Sequence, residues 1–262
     1  VSLDISNHQS IIEFVKSKNI DLTIVGSEAP LADGIVDSFN KVDLPIFGPD
    51  RYGSQLESSK LFARDIMATY NIPIPRYFPC KNREEVELAK VKLELPLVLK
   101  ADGLAGGKGV IICTTEDEYA DGLTTMFDEN AFGDAGTKVS VEDCLIGEEL
   151  SVFAVCDGKD YIILNTAQDH KRAFDRDKGP NTGGMGAYSP TPLSTDSLIA
   201  KTEDKIIKPT LKAMKDAGHP FVGFLYVGLM IVDNEPFVIE FNVRMGDPET
   251  QVVLPLLDSS LF

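Results

Sequence analysis

The sequence predicts an α/β unit followed by a larger α+β unit. Three observations point there. Short apolar runs alternate with helical segments up to about residue 70, the proline-rich break Asn71-Ile72-Pro73-Ile74-Pro75 follows, and two long apolar runs, Phe221 to Val232 and Phe237 to Phe241, lie near the end. At 262 residues and 43% hydrophobic content, the chain can bury one large core or two smaller ones.

In the first unit, Ile11 to Val15 reads as a short helix, Asp21 to Val25 as a buried strand ending at Gly26, and Pro45 to Gly48 as a second strand. A helix with a serine at its N-cap starts at Ser58-Ser59-Lys60 and runs to about Tyr70. Beyond the proline break come a charged helix (Arg83 to Lys92), a strand (Leu97 to Lys100), a glycine loop and a strand (Val110 to Cys113). A helix from Asp117 to about Phe127 and the strand Lys138 to Glu142 follow. Leu150 to Cys156 and Tyr161 to Asn165 read as strands, Asp169 to Pro192 as a long irregular polar segment of the kind that carries function, and Asp196 to Ala217 as one helix.

Composition narrows the function classes. Lysine plus arginine number 25 against 41 acidic residues, a net charge of −16, which disfavours a non-specific grip on nucleic-acid backbone and requires any phosphate to be held locally. The four cysteines form no CxxC pair and read as free thiols. There is no run of eighteen apolar residues, and Val1-Ser2-Leu3-Asp4 has no leader pattern, so a cytoplasmic protein without membrane contact is expected. The opening on valine and the stop within an apolar stretch read as a fragment of a longer chain.

Four constellations carry chemistry. Asp102-Gly103-Leu104-Ala105-Gly106-Gly107-Lys108-Gly109 sits between two apolar strands, where glycines let backbone approach a phosphate; a tight glycine hairpin with a solvated lysine fits the same residues. It is not a Walker loop, because Gly109 rather than Ser or Thr follows the lysine and a strand comes next. Lys100 closes an apolar strand, where it either meets an anion or reaches solvent, and Lys60 opens a helix, where alone it would be a surface charge. Glu240 and Asn242 project from one strand face, a carboxylate and an amide oxygen suited to magnesium; an exposed alternating strand gives the same spacing. Arg244 continues that face with a guanidinium suited to a carboxylate or phosphate. Finally, Gln168 to Arg172 and Gly179 to Tyr188 offer successive backbone donors, as a substrate loop or as a solvated one.

In this order, these segments resemble the ATP-grasp fold, and most closely the glycinamide ribonucleotide synthetase family over essentially the whole chain. The strings are Gly26 to Leu31, Asp102 to Gly109, Gly133 to Gly136, Gly147 to Ser151, Gln168 to Arg172, Gly179 to Pro190 and Glu240 to Gln251. The resemblance implies part of a Rossmann-like pre-ATP-grasp domain with a linker helix over 1–72 and an ATP-grasp domain over 73–262, its smaller lobe about 73–145.

It further implies that ATP binds between two lobes, with Lys60 and Lys100 on its phosphates and Gly106, Gly107 and Lys108 closing over them. Glu142, Asp143, Cys144 and Leu145 would meet the adenine edge largely through backbone groups, and Glu149 would hold the ribose. Glu240 and Asn242 would bind magnesium or manganese. Arg244, Asp169 and Lys171, with Glu28, Gly183, Gly184 and Asp247, would face glycine and 5-phosphoribosylamine, and Arg244 and Lys108 would be catalytic. The implied reaction passes through an acyl phosphate and needs no nucleophilic side chain. A monomer without nucleic-acid or membrane partners is expected. Another ATP-grasp ligase, or a nucleotide-binding module without turnover, are the competing readings. The chain departs from the family pattern at Ser27, where proline is expected, and at Gly106, where alanine is expected. The family's opening glycine-rich loop and C-terminal domain are not in this sequence, and Gly223 to Met230 offers no further acid for a metal.

Overall fold

The computed structural model describes residues 3–104, 109–128, 138–175, 178–182 and 184–260. Its first unit runs α1 (His8–Lys18), β1 (Thr23–Ile24), α2 (Glu28–Asp33), α3 (Ile35–Asn40), β2 (Ile46–Phe47), α4 (Gln55–Ser58) and α5 (Lys60–Thr69). The two short strands pair in parallel, Thr23 with Ile46 and Ile24 with Phe47. The run Asp21 to Val25 is shorter as a strand than the sequence predicts and is not buried on both faces: Ile24 is 37% exposed, because β1 is paired with β2 alone. Helix α5 starts where its cap dictates, the Ser59 hydroxyl accepting the Phe62 backbone N–H at 3.1 Å.

A four-stranded antiparallel sheet follows, from β3 (Tyr77–Cys80), β4 (Leu97–Ala101), β5 (Val110–Cys113) and β6 (Val139–Asp143), in the order β3-β6-β4-β5. Helices α6 (Arg83–Leu93) and α7 (Glu116–Leu123) cover it, packing Val86, Ala89, Tyr119 and Leu123 onto Leu97, Leu99, Val139 and Val141 as a core of its own. A capping box of Thr115 and Glu118 fixes the start of α7.

The second four-stranded sheet, order β14-β13-β7-β8, is built from β7 (Glu148–Asp157), β8 (Tyr161–Ile163), β13 (Val222–Val232) and β14 (Glu235–Asn242). Strand β13 is apolar throughout because both faces are covered. Leu225, Val227 and Leu229 join a core that runs through the first unit to Ile12 and Phe39, while Tyr226 packs on Phe153 and Val253 on the other side.

Two further expectations are corrected. The polar segment after residue 168 is not irregular: β9 (Gln168–Asp169) pairs with β12 (Ala187–Tyr188), and β10 (Arg172–Phe174) pairs with β11 (Lys178–Asn181). Ladder pairing needs only backbone donors and acceptors, so polar side chains hid these strands. The helix expected from Asp196 is interrupted, with α8 (Asp196–Thr202) and α9 (Lys208–Asp216) separated by a π-helical turn at Glu203–Ile207. Pro209 has no N–H to continue the ladder, and the turn before it widens.

Candidate active site

A cleft of about 520 Å³ opens between the two sheets and reaches the first unit, a size that suits a nucleotide-sized ligand. Its walls include the far-apart lysines Lys60 and Lys100, the segment Glu142 to Leu145, and the pair Glu240 and Asn242. Glu28, Glu149, Asp169, Lys171, Arg244 and Asp247 line it too. Gly184 packs beside it at φ +129, where an added Cβ would lie 2.5 Å from Pro248 Cδ. Gly106, Gly107, Lys108 and Gly183 lie outside the described residues.

Lys60 projects from the first turn of α5 and its ammonium donates to the Gly103 carbonyl at 3.1 Å. The Asp102 carboxylate accepts the Ser59 hydroxyl at 3.0 Å and the Leu61 backbone N–H at 3.1 Å, so the root of the glycine loop is tied to the start of this helix.

Lys100 does not reach out into solvent. It is buried and paired, donating to the Ile239 carbonyl at 2.9 Å and lying 2.9 Å from a Glu142 oxygen. Burial pulls its pKa below the ordinary lysine value, against the pull of Glu142. The Glu142 side chain is also spent inside the protein: the Arg64 guanidinium grips it, with Nε to Oε1 at 2.8 Å and Nη2 to Oε2 at 2.6 Å. Burial works to raise the Glu142 pKa, but Lys100 and Arg64 overrule it and hold the carboxyl at about 2. Arg64 did not figure among the sequence-predicted site residues. The signal that could have found it is a charge set between Ala63 and Met67 on the buried face of α5, one turn from Lys60. Asp143 points away into a pair with Arg76, 2.7 Å from its Nε.

On β14, Glu240 and Asn242 share a face as their spacing requires. Burial would raise the Glu240 carboxyl, but Lys171, Lys100, Lys60 and Arg244 together hold it below the usual carboxylate value. Gly228 lies opposite on β13, and a Cβ there would come within 3.1 Å of Glu240 Cγ, so glycine leaves room for that side chain to lie across the strand. Among the described residues no group of three or more His, Cys, Asp or Glu is arranged to hold a metal. An ionised carboxylate and an amide oxygen on one face, surrounded by cations, fit a hard divalent ion that brings further anionic oxygens with it.

Lys171 reaches the centre of the cleft, 3.1 Å from Glu149, 3.8 Å from Glu240 and 3.9 Å from Asp169. Although burial opposes it, these carboxylates keep Lys171 well above the ordinary lysine value. Asp169, with its side chain 3% exposed, is pushed up to about 6 by burial and by Glu249 and Glu149, against the pull of Lys171. Behind it, the buried Tyr226 hydroxyl donates to Glu249 at 2.9 Å and lies 2.9 Å from the Ser151 hydroxyl.

Arg244 is bracketed by two carboxylates from the first unit: Glu57 accepts from Nη2 at 2.8 Å, and Glu28 lies 3.3 Å from Nε. Arg244 Nη2 also donates to the Asn242 amide oxygen at 3.3 Å. Glu57, unremarked in the sequence, accepts the Val243 backbone N–H at 2.8 Å as well, and burial raises its pKa to about 7. The site therefore joins cations that can neutralise a polyanion to a carboxylate–amide pair that can ligate a divalent ion, inside a chain of net charge −16.

Comparison with known proteins agrees with this geometry. The family model described as phosphoribosylglycinamide synthetase, N domain, matches residues 1–57, and that described as phosphoribosylglycinamide synthetase, ATP-grasp (A) domain, matches residues 58–250. A phosphoribosylamine–glycine ligase from Neisseria meningitidis serogroup B is 49% identical over 261 residues, covering 99% of this chain and 62% of the relative. One from Vibrio parahaemolyticus is 48% identical over 265 residues, covering 100% of this chain and 61% of the relative. The chain thus spans less than two thirds of these relatives' length. The crystal structure of a phosphoribosylamine–glycine ligase from Thermotoga maritima aligns with a TM-score of 0.75 at 40% identity, covering 80% of this chain and 54% of that one. The two antiparallel sheets with a cleft between them are the ATP-grasp fold, and the chain belongs to the phosphoribosylglycinamide synthetase family.

Proposed function

We propose that this chain carries the nucleotide site and the carboxylate-activating centre of a phosphoribosylamine–glycine ligase. In this reading the glycine carboxylate attacks the terminal phosphoryl group of ATP, releasing ADP and forming glycyl phosphate. The amine of 5-phosphoribosylamine then attacks the acyl carbon and expels phosphate, giving glycinamide ribonucleotide. The observation that carries the reading is the convergence of Lys60, Lys100, Glu240, Asn242 and Arg244, from distant parts of the sequence, on one cleft. The identity to phosphoribosylamine–glycine ligases across 99% of the chain supports the choice of substrates.

The domain division we propose places a pre-ATP-grasp unit and linker helix in 1–72 and the ATP-grasp domain in 73–262, with a smaller lobe of about 73–145. Lys60 and Lys100 neutralise the ATP phosphates, with Gly106, Gly107 and Lys108 covering them. Glu142 to Leu145 meet adenine through backbone groups, and Glu149 takes the ribose hydroxyls. Glu240 and Asn242 hold magnesium or manganese, which when bound neutralises charge on the phosphoryl oxygens. Arg244 orients the glycine carboxylate. Asp169, Lys171, Glu28, Gly183, Gly184 and Asp247 shape the place of the amine and its sugar.

Catalysis then consists of positioning and charge neutralisation. The protein acts as a cytoplasmic monomer on small molecules, with no nucleic-acid or membrane partner. In the complete polypeptide, Glu240→Ala is expected to abolish metal-dependent ADP formation in the presence of glycine and 5-phosphoribosylamine; unchanged turnover would refute the metal assignment. ADP formation that proceeds equally well without either substrate would refute the ligation.

A further inference from the structure

Arg64 is 2% exposed and sits at the back of the cleft on α5, one turn from Lys60, and no role in the proposed reaction has been given to it. It rises from α5 and makes four hydrogen bonds to oxygen. Two go to Glu142 on β6 of the smaller sheet, and two to successive carbonyls on β14 of the larger sheet: Nη1 to Val238 at 3.0 Å and Nη2 to Ile239 at 2.9 Å. Those carbonyls immediately precede Glu240. The Ile239 carbonyl also accepts from Lys100 at 2.9 Å, so one oxygen is shared by Arg64 and the lysine, and one carboxylate, Glu142, is shared by the same two cations. A guanidinium suits this place because its planar fork can satisfy carbonyls on one edge and a carboxylate on the other; an ammonium has three donors and no fork.

We propose that Arg64 is a positioning residue for the phosphate end of the nucleotide site: it clamps β6 to β14 and thereby sets the distance between Lys100 and the Glu240–Asn242 pair. This inference rests on the assignment of that cleft to ATP and a divalent ion. The clamp holds the Glu142 side chain, whereas the backbone of the adenine segment 142–145 is held at its start by the β6 ladder, in which Glu142 pairs with Tyr77 on β3 and Val98 on β4. Loss of the fork is therefore expected to weaken the grip on phosphates and leave the grip on adenine.

The test compares a non-hydrolysable ATP analogue with AMP, by titration calorimetry with and without magnesium, in the complete polypeptide and in Arg64→Lys. The expected result is a loss of about 10–100-fold in affinity for the magnesium-bound analogue, the range seen when groups that orient metal ligands are removed, with AMP affinity within about twofold of wild type and the magnesium midpoint moved upward. Equal weakening of both nucleotides, or a fall in melting temperature with both affinities unchanged, would overturn the inference, because a purely structural role predicts no selectivity for phosphates.

If Arg64→Lys does not fold, Arg64→Gln removes the fork while leaving Glu142 paired with Lys100. A folded Arg64→Gln protein that binds the magnesium-bound analogue as tightly as wild type overturns the clamp, and phosphate-selective weakening supports it. Absence of binding by the wild-type protein would instead overturn the ATP site itself, and the clamp with it.

Discussion

Replacing Glu142 by glutamine keeps the shape of the side chain and deletes the charge that two buried cations share. In the native protein this carboxylate, 1% exposed, takes two hydrogen bonds from Arg64 and sits 2.9 Å from Lys100. A carboxyl held at about 2 instead of its ordinary 4.5 corresponds to about 3 kcal/mol of stability at neutral pH. Breaking a buried pair by removing one partner costs about 3–5 kcal/mol, so the two routes agree. For a chain of this size the loss should lower the melting temperature by roughly 6–12 °C. The sign in pH is fixed by the direction of the shift. Because the folded pKa is depressed, the contribution is complete above the ordinary carboxylate value and disappears as pH falls from about 4.5 to about 2. The assay is urea unfolding of wild type and Glu142→Gln at a series of pH values. The difference in unfolding free energy should be largest at pH 7 and shrink across that acid window. A difference below about 1 kcal/mol at pH 7, or one that does not change with acidification, would refute the assignment of the charge network as a source of stability.

Asp169→Asn should act in the opposite direction. Burial raises this carboxyl to about 6, so its ionisation penalises the folded state at neutral pH, a penalty relieved as pH falls through 6 toward the ordinary 3.8. The variant is expected to be more stable at pH 7 by about 1–3 kcal/mol, with the gain gone near pH 4, and slower in turnover; a loss of stability at pH 7 would contradict the burial argument. Gly147→Ala should destabilise without regard to pH, because its Cβ would lie 2.1 Å from the Ile231 carbonyl oxygen, where the backbone of β13 must move. A loss of about 1–3 kcal/mol is expected in the same unfolding assay, and an unchanged midpoint would mean that the strands separate there at no cost.

Most of the ingredients of this protein can be read along the chain. Apolar runs placed the strands of both sheets other than β3, the Ser59 cap placed α5, and the strings around Lys100, Gln168 and Glu240 carried the resemblance, because each of these signals lies within a few consecutive residues. The spacing of Glu240 and Asn242 put two oxygens on one face before any fold was known. The ribbons formed by β9 to β12 were not legible, since their pairing is made by backbone groups and no apolar run marks them in the sequence.

How the charges pair is set by the fold alone. Arg64 meets Glu142 across 78 positions and the Val238 and Ile239 carbonyls across 174 and 175. Glu57 reaches Arg244 across 187. Lys100 at the end of an apolar strand reads equally as a solvated lysine or an anion site, and the fold makes it the buried partner of Glu142. The physical reason is that the energy of an ion pair depends on distance and burial, neither of which is carried by local spacing. A buried arginine or glutamate shows in the sequence only as a charge on an apolar face, and which groups satisfy it is fixed when the helix, the two sheets and the first unit close on one another.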